Sequence, residues 1–322
     1  MECGNTQELP HSTTGLPSPS GAILARLMPP SRGPLNDNDR WRGWSRPLLA
    51  CAPLAALFLG VAAMDELGVG MVARGSNIAA AALGLLLCAS SRYLPDLPPS
   101  AMPLLAAAGI GTLLLTFASA GILGVHRWVP VGGFRLHAAA IVTPILIVCI
   151  AVLARRQSVA STAVAVVSTT VVALQPDAAQ ATSLAVATAI ILTRELRGRR
   201  AHVMTGLALL AGASVLAFVK DDPLPPVRHV EGIFGAVASM GAAWAIGGAV
   251  SLLLLPVPFF ALWAYSRNSV PLALCAYVAL TVLAPAWGTF PVPVMGYGVS
   301  PILGYFLALA FCYKATARET TP

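Results

Sequence analysis

The fold class is decided by residues 232–264, GIFGAVASMGAAWAIGGAVSLLLLPVPFFALWA, a stretch without a single charged side chain. A transmembrane helix needs about 20 consecutive apolar residues, so this run is long enough to cross a bilayer. It is also too long for one straight span. We therefore expect either a strongly tilted helix or a partial helix at the membrane surface followed by a full span.

The rest of the chain has the same apolar character. Of its 322 residues 57% are hydrophobic and only 10% are charged, whereas a soluble domain carries about a quarter charged residues. We predict an all-α polytopic membrane protein with about ten transmembrane helices over residues 46–314, between a disordered cytoplasmic tail at 1–45 and a short one at 315–322. The apolar segments are residues 47–64, 77–90, 101–123, 137–154, 158–174, 178–193, 201–219, 232–264, 270–286 and 299–313.

The net charge of +7 is explained by membrane topology. The basic residues lie between apolar runs and form no basic face, which excludes nucleic-acid binding. With the N-terminus inside and counting from Arg40 onwards, 13 Lys and Arg fall on the inner side and five on the outer side, as the positive-inside rule requires. Both termini are therefore predicted to be cytoplasmic. The six cysteines form no C-x-x-C pair, so neither a metal site nor a disulfide framework is predicted.

Four polar segments fall on the outer side in this arrangement. Arg127 and Trp128 in the first fit either ordinary interface residues or a site for a phosphate or carboxylate. Asp177 in the second fits either a helix N-cap or an ionisable group that needs a partner, for which Arg127 is a candidate. The segments are residues 124–134 (GVHRWVPVGGF), 174–177 (LQPD), 220–232 (KDDPLPPVRHVEG) and 290–301 (FPVPVMGYGVSP).

The third and fourth segments carry the chemistry and the irregular backbone. Glu231 follows His229 where a loop enters an apolar run, so it is a candidate general base, although a solvated loop with capping acids explains it as well. The fourth segment combines two prolines with Gly-x-Gly. Non-helical backbone at membrane depth must be packed in protein or line a watery cavity, so a cavity is expected beside it.

Taken in this order, the four segments resemble the SEDS (FtsW/RodA/SpoVE) family of cell-wall membrane proteins. The correspondence covers about residues 47–313. Residues 174–177 look like the family's L-Q-P-D, and residues 124–132 are similar to its G-x-x-R-W-x-x-x-G. Residues 224–234 resemble L-P-x-x-H-T-D-F-I-F, and residues 291–300 resemble P-L-P-F-x-S-Y-G-G-S.

This resemblance implies a peptidoglycan glycosyltransferase of the bacterial plasma membrane. Such proteins polymerise lipid II during elongation or division, beside a class B penicillin-binding transpeptidase. Glu231 would take the place of the family's catalytic aspartate, and Arg127 would hold the pyrophosphate leaving group, a role that a divalent cation could share. The other matched residues are predicted to bind substrate: Trp128, Asp177, Arg228, His229, Tyr297 and Ser300.

The chain also departs from the family pattern. Residues 137–143 stand where the family has Q-P-S-E-x-x-K, and the long outer loop is reduced to residues 220–223. An alternative is therefore a catalytically degenerate membrane scaffold or regulator of cell-wall synthesis. A transporter of lipid-linked precursors would need ionisable groups deep in its spans, and the apolar segments contain almost none.

Overall fold

The computed structural model describes residues 49–91, 93, 97–220 and 222–317. Almost all of the regular structure in these ranges is helical. Its helices are α1 (Ala52–Glu66), α2 (Met71–Ser90), α3 (Met102–Leu115), α4 (Ala138–Ala154), α5 (Ser158–Leu174), α6 (Ala178–Glu195), α7 (Arg200–Val219), α8 (Ile233–Ser239), α9 (Ala242–Leu253), α10 (Val257–Ser266), α11 (Ser269–Leu283) and α12 (Val299–Ala317).

Six helical stretches among the described residues are long and apolar enough to cross a membrane, by length and composition: Met71–Ser90, Pro99–Ala118, Arg200–Val219, Ala242–Ser266, Ser269–Ala286 and Val299–Thr316. Only 22% of the third is buried, as expected for a helix that faces lipid. The all-α polytopic membrane fold is confirmed, while ten crossings and cytoplasmic termini stay predictions. The predicted tail at 1–45 lies outside the described residues.

Helices α4 and α6 form the buried centre of the bundle. The side chains of Leu146, Ile147, Ile191 and Leu192 are completely buried. Close helix approach is obtained with small residues, as is usual in membranes. At Gly304 of α12, an added Cβ would lie 1.9 Å from the Ala140 carbonyl oxygen of α4.

The long apolar run at 232–264 is divided into three helices. Gly241 adopts a φ of +134°, a conformation that is open to glycine and rarely adopted by other residues. It separates the two-turn helix α8 from α9, and a turn before Val257 separates α9 from α10. A short first helix followed by a stretch of spanning length is therefore the alternative that the structure adopts, while its place at the membrane surface stays a prediction.

A small hairpin precedes α4. Strand β1 (Trp128–Val131) pairs antiparallel with β2 (Phe134–His137), and Val131 faces Phe134 across Gly132 and Gly133. The strands were not predicted from the sequence, which marks residues 124–134 only as a polar segment. A Gly-Gly pair between residues of high strand propensity was the signal that could have predicted them.

The membrane topology can be tested with single cysteines at exposed positions. Gln157→Cys lies between α4 and α5, and Val227→Cys lies in the third polar segment. In a background without the native thiols, an impermeant reagent on intact cells should label Val227→Cys only. Gln157→Cys should react after permeabilisation, and equal labelling of both sites in intact cells would contradict the predicted orientation.

Gly60 of α1 packs directly on the backbone of the fourth segment. A Cβ there would lie 1.9 Å from the Met295 carbonyl oxygen, whereas a Cβ at Gly75 of α2 would meet nothing within 4 Å. Gly60→Ala is expected to destabilise the fold by about 1–3 kcal/mol through overpacking. Gly75→Ala should be neutral or stabilising by up to about 1 kcal/mol. Unfolding in detergent measures both, and equal behaviour of the two variants would argue against this close contact.

Candidate functional site

A buried polar network joins three of the four segments through His137, the N-cap residue of α4. Its Nδ1 accepts a hydrogen bond from the Ala140 N–H at 3.2 Å, which places the proton of the neutral ring on Nε2. That atom lies 2.9 Å from Oδ2 of Asp177. The backbone N–H of His137 donates to Oγ of Ser300 at 2.8 Å. His137 therefore ties the hairpin to the second and fourth segments.

Arg127 extends this network to the third segment. Its side chain is buried, and it donates to the carbonyl oxygens of Gln175, at 3.3 Å, and of Pro176. It also forms an ion pair with Asp222 at 2.5 Å. Arg127 therefore holds the third segment against the second.

Asp177 is the N-cap residue of α6 and is 4% exposed. Its Oδ1 accepts a hydrogen bond from the Gln180 N–H at 3.2 Å. Burial alone would raise the pKa of this carboxyl group, but Arg127 and His137 outweigh burial and hold the pKa below its ordinary value.

The interaction expected between Arg127 and Asp177 is electrostatic and involves no direct contact. The sequence suggested Arg127 as the partner of Asp177, but the side chain in direct contact with Asp177 is His137, and the carboxylate that Arg127 contacts is Asp222. The Arg127 guanidinium group is bound instead by the Gln175 and Pro176 carbonyl groups of the second segment. Arg127 acts on Asp177 through space.

The lowered pKa makes the contribution of Asp177 to stability depend on pH. The contribution is fully present above the ordinary Asp value of about 3.9 and is lost as the pH falls through the lowered pKa. The difference in unfolding free energy between the parent and Asp177→Asn should therefore be largest above about pH 4 and shrink in more acid buffer. Unfolding in detergent at a series of pH values measures it. The control is Glu66→Gln, which changes an exposed acid and should alter the unfolding free energy by less than about 0.5 kcal/mol. A difference in unfolding free energy between the parent and Asp177→Asn that does not change with pH would contradict the expectation.

Two buried amides support the site, and neither was predicted from the sequence as a site residue. Asn77 of α2 donates to the Gly296 carbonyl oxygen and accepts from the Gly298 N–H, both at 3.1 Å. Gln175 donates to the Leu113 carbonyl oxygen and to Oγ1 of Thr116, both at 2.9 Å. An amide inside or beside an apolar helix was the available signal, because a buried polar group needs partners.

Glu231 lies in the turn that leads into α8. Its backbone N–H donates to the Val227 carbonyl oxygen at 3.0 Å, and its Oε2 accepts from the Val227 N–H at 2.7 Å. Glu231 is half-buried, and Arg228 in the same turn is exposed. The turn therefore presents a carboxylate and a guanidinium group at the surface.

The fourth segment holds this turn in place. The Tyr297 N–H donates to the His229 carbonyl oxygen at 2.8 Å, and the two rings lie 5.7 Å apart. The Val292 N–H donates to the Val230 carbonyl oxygen at 3.3 Å. A small cavity of about 30 Å³ borders the fourth segment at Pro293 and Val294, and the other described residues that line it come mainly from α4, α6, α11 and α12, without Glu231. A larger watery cavity beside the Glu231 turn stays a prediction.

The predicted site residues fall into two groups that the fourth segment connects through hydrogen bonds. Arg127, Asp177 and Ser300 belong to the buried network, and Trp128 lies edge-on to the His137 ring with centroids 6.0 Å apart. The second group, at the surface, consists of Arg228, His229, Glu231 and Tyr297. No group of three or more His, Cys, Asp or Glu side chains that could hold a metal ion occurs within the ranges that the structure describes.

Fold and site together define a polytopic helical membrane protein in which a buried ionic network and a half-buried carboxylate are joined by the fourth segment. The structure is similar to that of the rod shape determining protein RodA of Thermus thermophilus, with a TM-score of 0.66 and 20% identity over 85% of this chain and 97% of that one. A point mutant of the same RodA has a TM-score of 0.66 and 20% identity, over 85% of this chain and 98% of that one. A chain from a peptidoglycan synthase complex has a TM-score of 0.63 and 21% identity, over 85% of this chain and 98% of that one.

No protein-family model and no curated protein sequence matches the chain. The chain has the fold of RodA, which is the fold that the resemblance to the SEDS family implied.

Proposed function

We propose that the protein is a divergent SEDS-type glycosyltransferase of the bacterial plasma membrane that polymerises lipid II into glycan strands. The RodA fold and the four matching segments support this proposal. The observation that carries it is the position of Glu231. Its carboxylate lies at the entrance to α8, in a turn that the fourth segment holds through backbone hydrogen bonds.

In the proposed reaction Glu231 is the general base. It takes the proton of the acceptor sugar hydroxyl, whose oxygen forms a bond to the anomeric carbon of the donor while the bond from that carbon to undecaprenyl pyrophosphate breaks. The carboxylate accepts one protein hydrogen bond, from Val227. Two carboxylate oxygens offer about four lone-pair sites, so capacity to accept the hydroxyl proton remains.

Arg228 and His229 are the nearest cation and ring in sequence to Glu231, and we assign them to the substrate phosphates and sugars. Tyr297 places its ring beside His229. Arg127, Asp177 and Ser300 position these groups through the buried network, with Trp128 packed on His137. Direct contact of Arg127 with the pyrophosphate stays a prediction, as does a role for a divalent cation, and no step above uses a cation.

A class B penicillin-binding transpeptidase is the proposed partner. One of the structures with this fold belongs to a peptidoglycan synthase complex that coordinates polymerization and crosslinking. That association supports a similar division of labour here, with this protein supplying the glycan strand.

The direct test is polymerisation of lipid II by the purified protein in detergent or nanodiscs. Glycan strands are expected on a gel when a class B transpeptidase is present. The matched control replaces the protein with its Glu231→Gln variant at equal concentration. A parent protein that makes no strands with any transpeptidase supplied would favour the alternative of a catalytically inactive scaffold or regulator.

A further inference from the structure

The end of the bundle opposite to the candidate site is strongly basic. Among the described residues there, eight Lys and Arg accompany a single acid, Glu195. Arg155 pairs with Glu195 at 3.2 Å, and Arg194 donates to the Arg267 carbonyl oxygen at 3.1 Å. The basic residues are Arg155, Arg156, Arg194, Arg197, Arg199, Arg200, Arg267 and Lys314.

Part of this basic end is shaped into a groove between the beginnings of α5 and α7. The groove has a volume of about 550 Å³ and is lined by Ser158, Val159, Gly198, Arg199, Arg200, Ala201 and His202. No acid lines it. The turn that brings the arginines together is made possible by Gly198, which adopts a φ of +95°.

The groove walls are fixed by polar contacts. Arg199 donates to Oγ of Ser158, and Nε2 of His202 lies 2.9 Å from Oγ1 of Thr162 and 3.2 Å from the Ser158 carbonyl oxygen. A guanidinium group has five N–H donors, so Arg199 keeps donors for a ligand. Arg200 is exposed beside it.

Two helix beginnings add to the positive field of the groove. Helix α5 begins at Ser158 and α7 at Arg200, and neither has a side-chain cap or an acidic residue in its first turn. The first N–H groups of each helix lack intrahelical partners and carry partial positive charge. Together with the arginines they suit an anion with several acceptor oxygens, and a phosphate group has that chemistry.

A phosphate group could come from a water-soluble compound or from a phospholipid headgroup. Apolar side chains beside the groove favour the lipid. Val159 of α5, in the groove wall, is 71% exposed. Met204, which lies one helical turn after Arg200 in α7, is 64% exposed. The outward face of α7 continues with exposed apolar residues up to Val219. Acyl chains attached to a phosphate in the groove would therefore lie against an apolar surface.

We propose that the groove between α5 and α7 binds the headgroup of an anionic phospholipid from the membrane leaflet at this end of the protein. Arg199 and Arg200 contact the phosphate, and the apolar face of α7 receives the chains. Basic pockets between transmembrane helices recognise anionic headgroups in this way. The proposal does not depend on the glycosyltransferase activity.

The test is native mass spectrometry of the full-length protein in a non-ionic detergent, titrated with phosphatidylglycerol. Detergent removes the general attraction of a charged bilayer, so specific sites remain. Each groove arginine is expected to contribute about fivefold in affinity, so Arg200→Gln should weaken binding by about that factor and the double variant Arg199→Gln/Arg200→Gln by more. The matched control is Arg197→Gln, which removes the same charge from the same turn but lies outside the groove lining, and it should stay within about twofold of the parent.

Three results would overturn the proposal. Equal weakening by Arg197→Gln and Arg200→Gln would mean general electrostatics, and equal binding of phosphatidylcholine would mean that the headgroup charge is not recognised. Glycerol phosphate binding as tightly as phosphatidylglycerol would identify a soluble phosphate as the ligand. Arg199 contacts Ser158 in the groove wall, so the Arg199→Gln variant could unfold. In that case the binding affinity of Arg200→Gln alone decides the test.

Discussion

Glu231→Gln is expected to lower the rate of glycan-strand formation by about 10²–10⁴-fold, the usual effect of losing a positioned general base. The substitution keeps the shape of the side chain and removes its basic oxygen. An amide oxygen can still accept the hydrogen bond from the Val227 N–H, so the turn before α8 should keep its structure. The loss should therefore appear in the polymerisation rate and leave the unfolding free energy almost unchanged.

Two further variants make this result specific. Glu66→Gln, at the end of α1, removes an exposed acid outside the candidate site and should polymerise like the parent. Glu231→Asp keeps the charge and restores the residue of the SEDS motif, so it should retain activity that Glu231→Gln loses. The base assignment is wrong if Glu231→Gln forms strands as fast as the parent at equal membrane expression.

Arg127→Gln is expected to cost the most stability of the substitutions considered, on the order of 3 kcal/mol, because two buried carbonyl groups lose their donor at about 1–3 kcal/mol each. The variant leaves Asp222 without its cation and takes donors from the carbonyl groups of Gln175 and Pro176. It also removes the charge that helps to keep the buried Asp177 ionised. Equilibrium unfolding in mixed detergent measures the loss.

Arg228→Gln is the matched control, because it removes the same charge from an exposed position on the same predicted side. It should change stability by less than about 0.5 kcal/mol while weakening substrate use. A double-mutant cycle isolates the ion pair, since Asp222→Asn should cost less in the Arg127→Gln background than in the parent. Equal losses of stability in Arg127→Gln and Arg228→Gln would show that the buried network does not hold the segments together.

The sequence by itself determined the membrane fold. Apolar runs of spanning length leave no alternative to burial in lipid or protein, and ordered helices occur in every predicted run. The length of the run at 232–264 left two alternatives, a strongly tilted helix or a partial helix before a full span, and the structure breaks the run at Gly241. The alternation of polar and apolar stretches along the chain was enough to identify the four polar segments, because they interrupt an otherwise apolar sequence.

Only the tertiary structure decided which polar groups meet. Asn77 contacts Gly298 across 221 positions of the chain, and Arg127 contacts Asp222 across 95. Such pairs depend on how the helices pack, and contacts at that separation leave no periodic mark in the sequence. The sequence could therefore place Arg127 and two acids at the same end of the bundle. Which acid contacts Arg127 depends on where the packing of α5 and α6 places the backbone carbonyl groups of Gln175 and Pro176, which hold the guanidinium group.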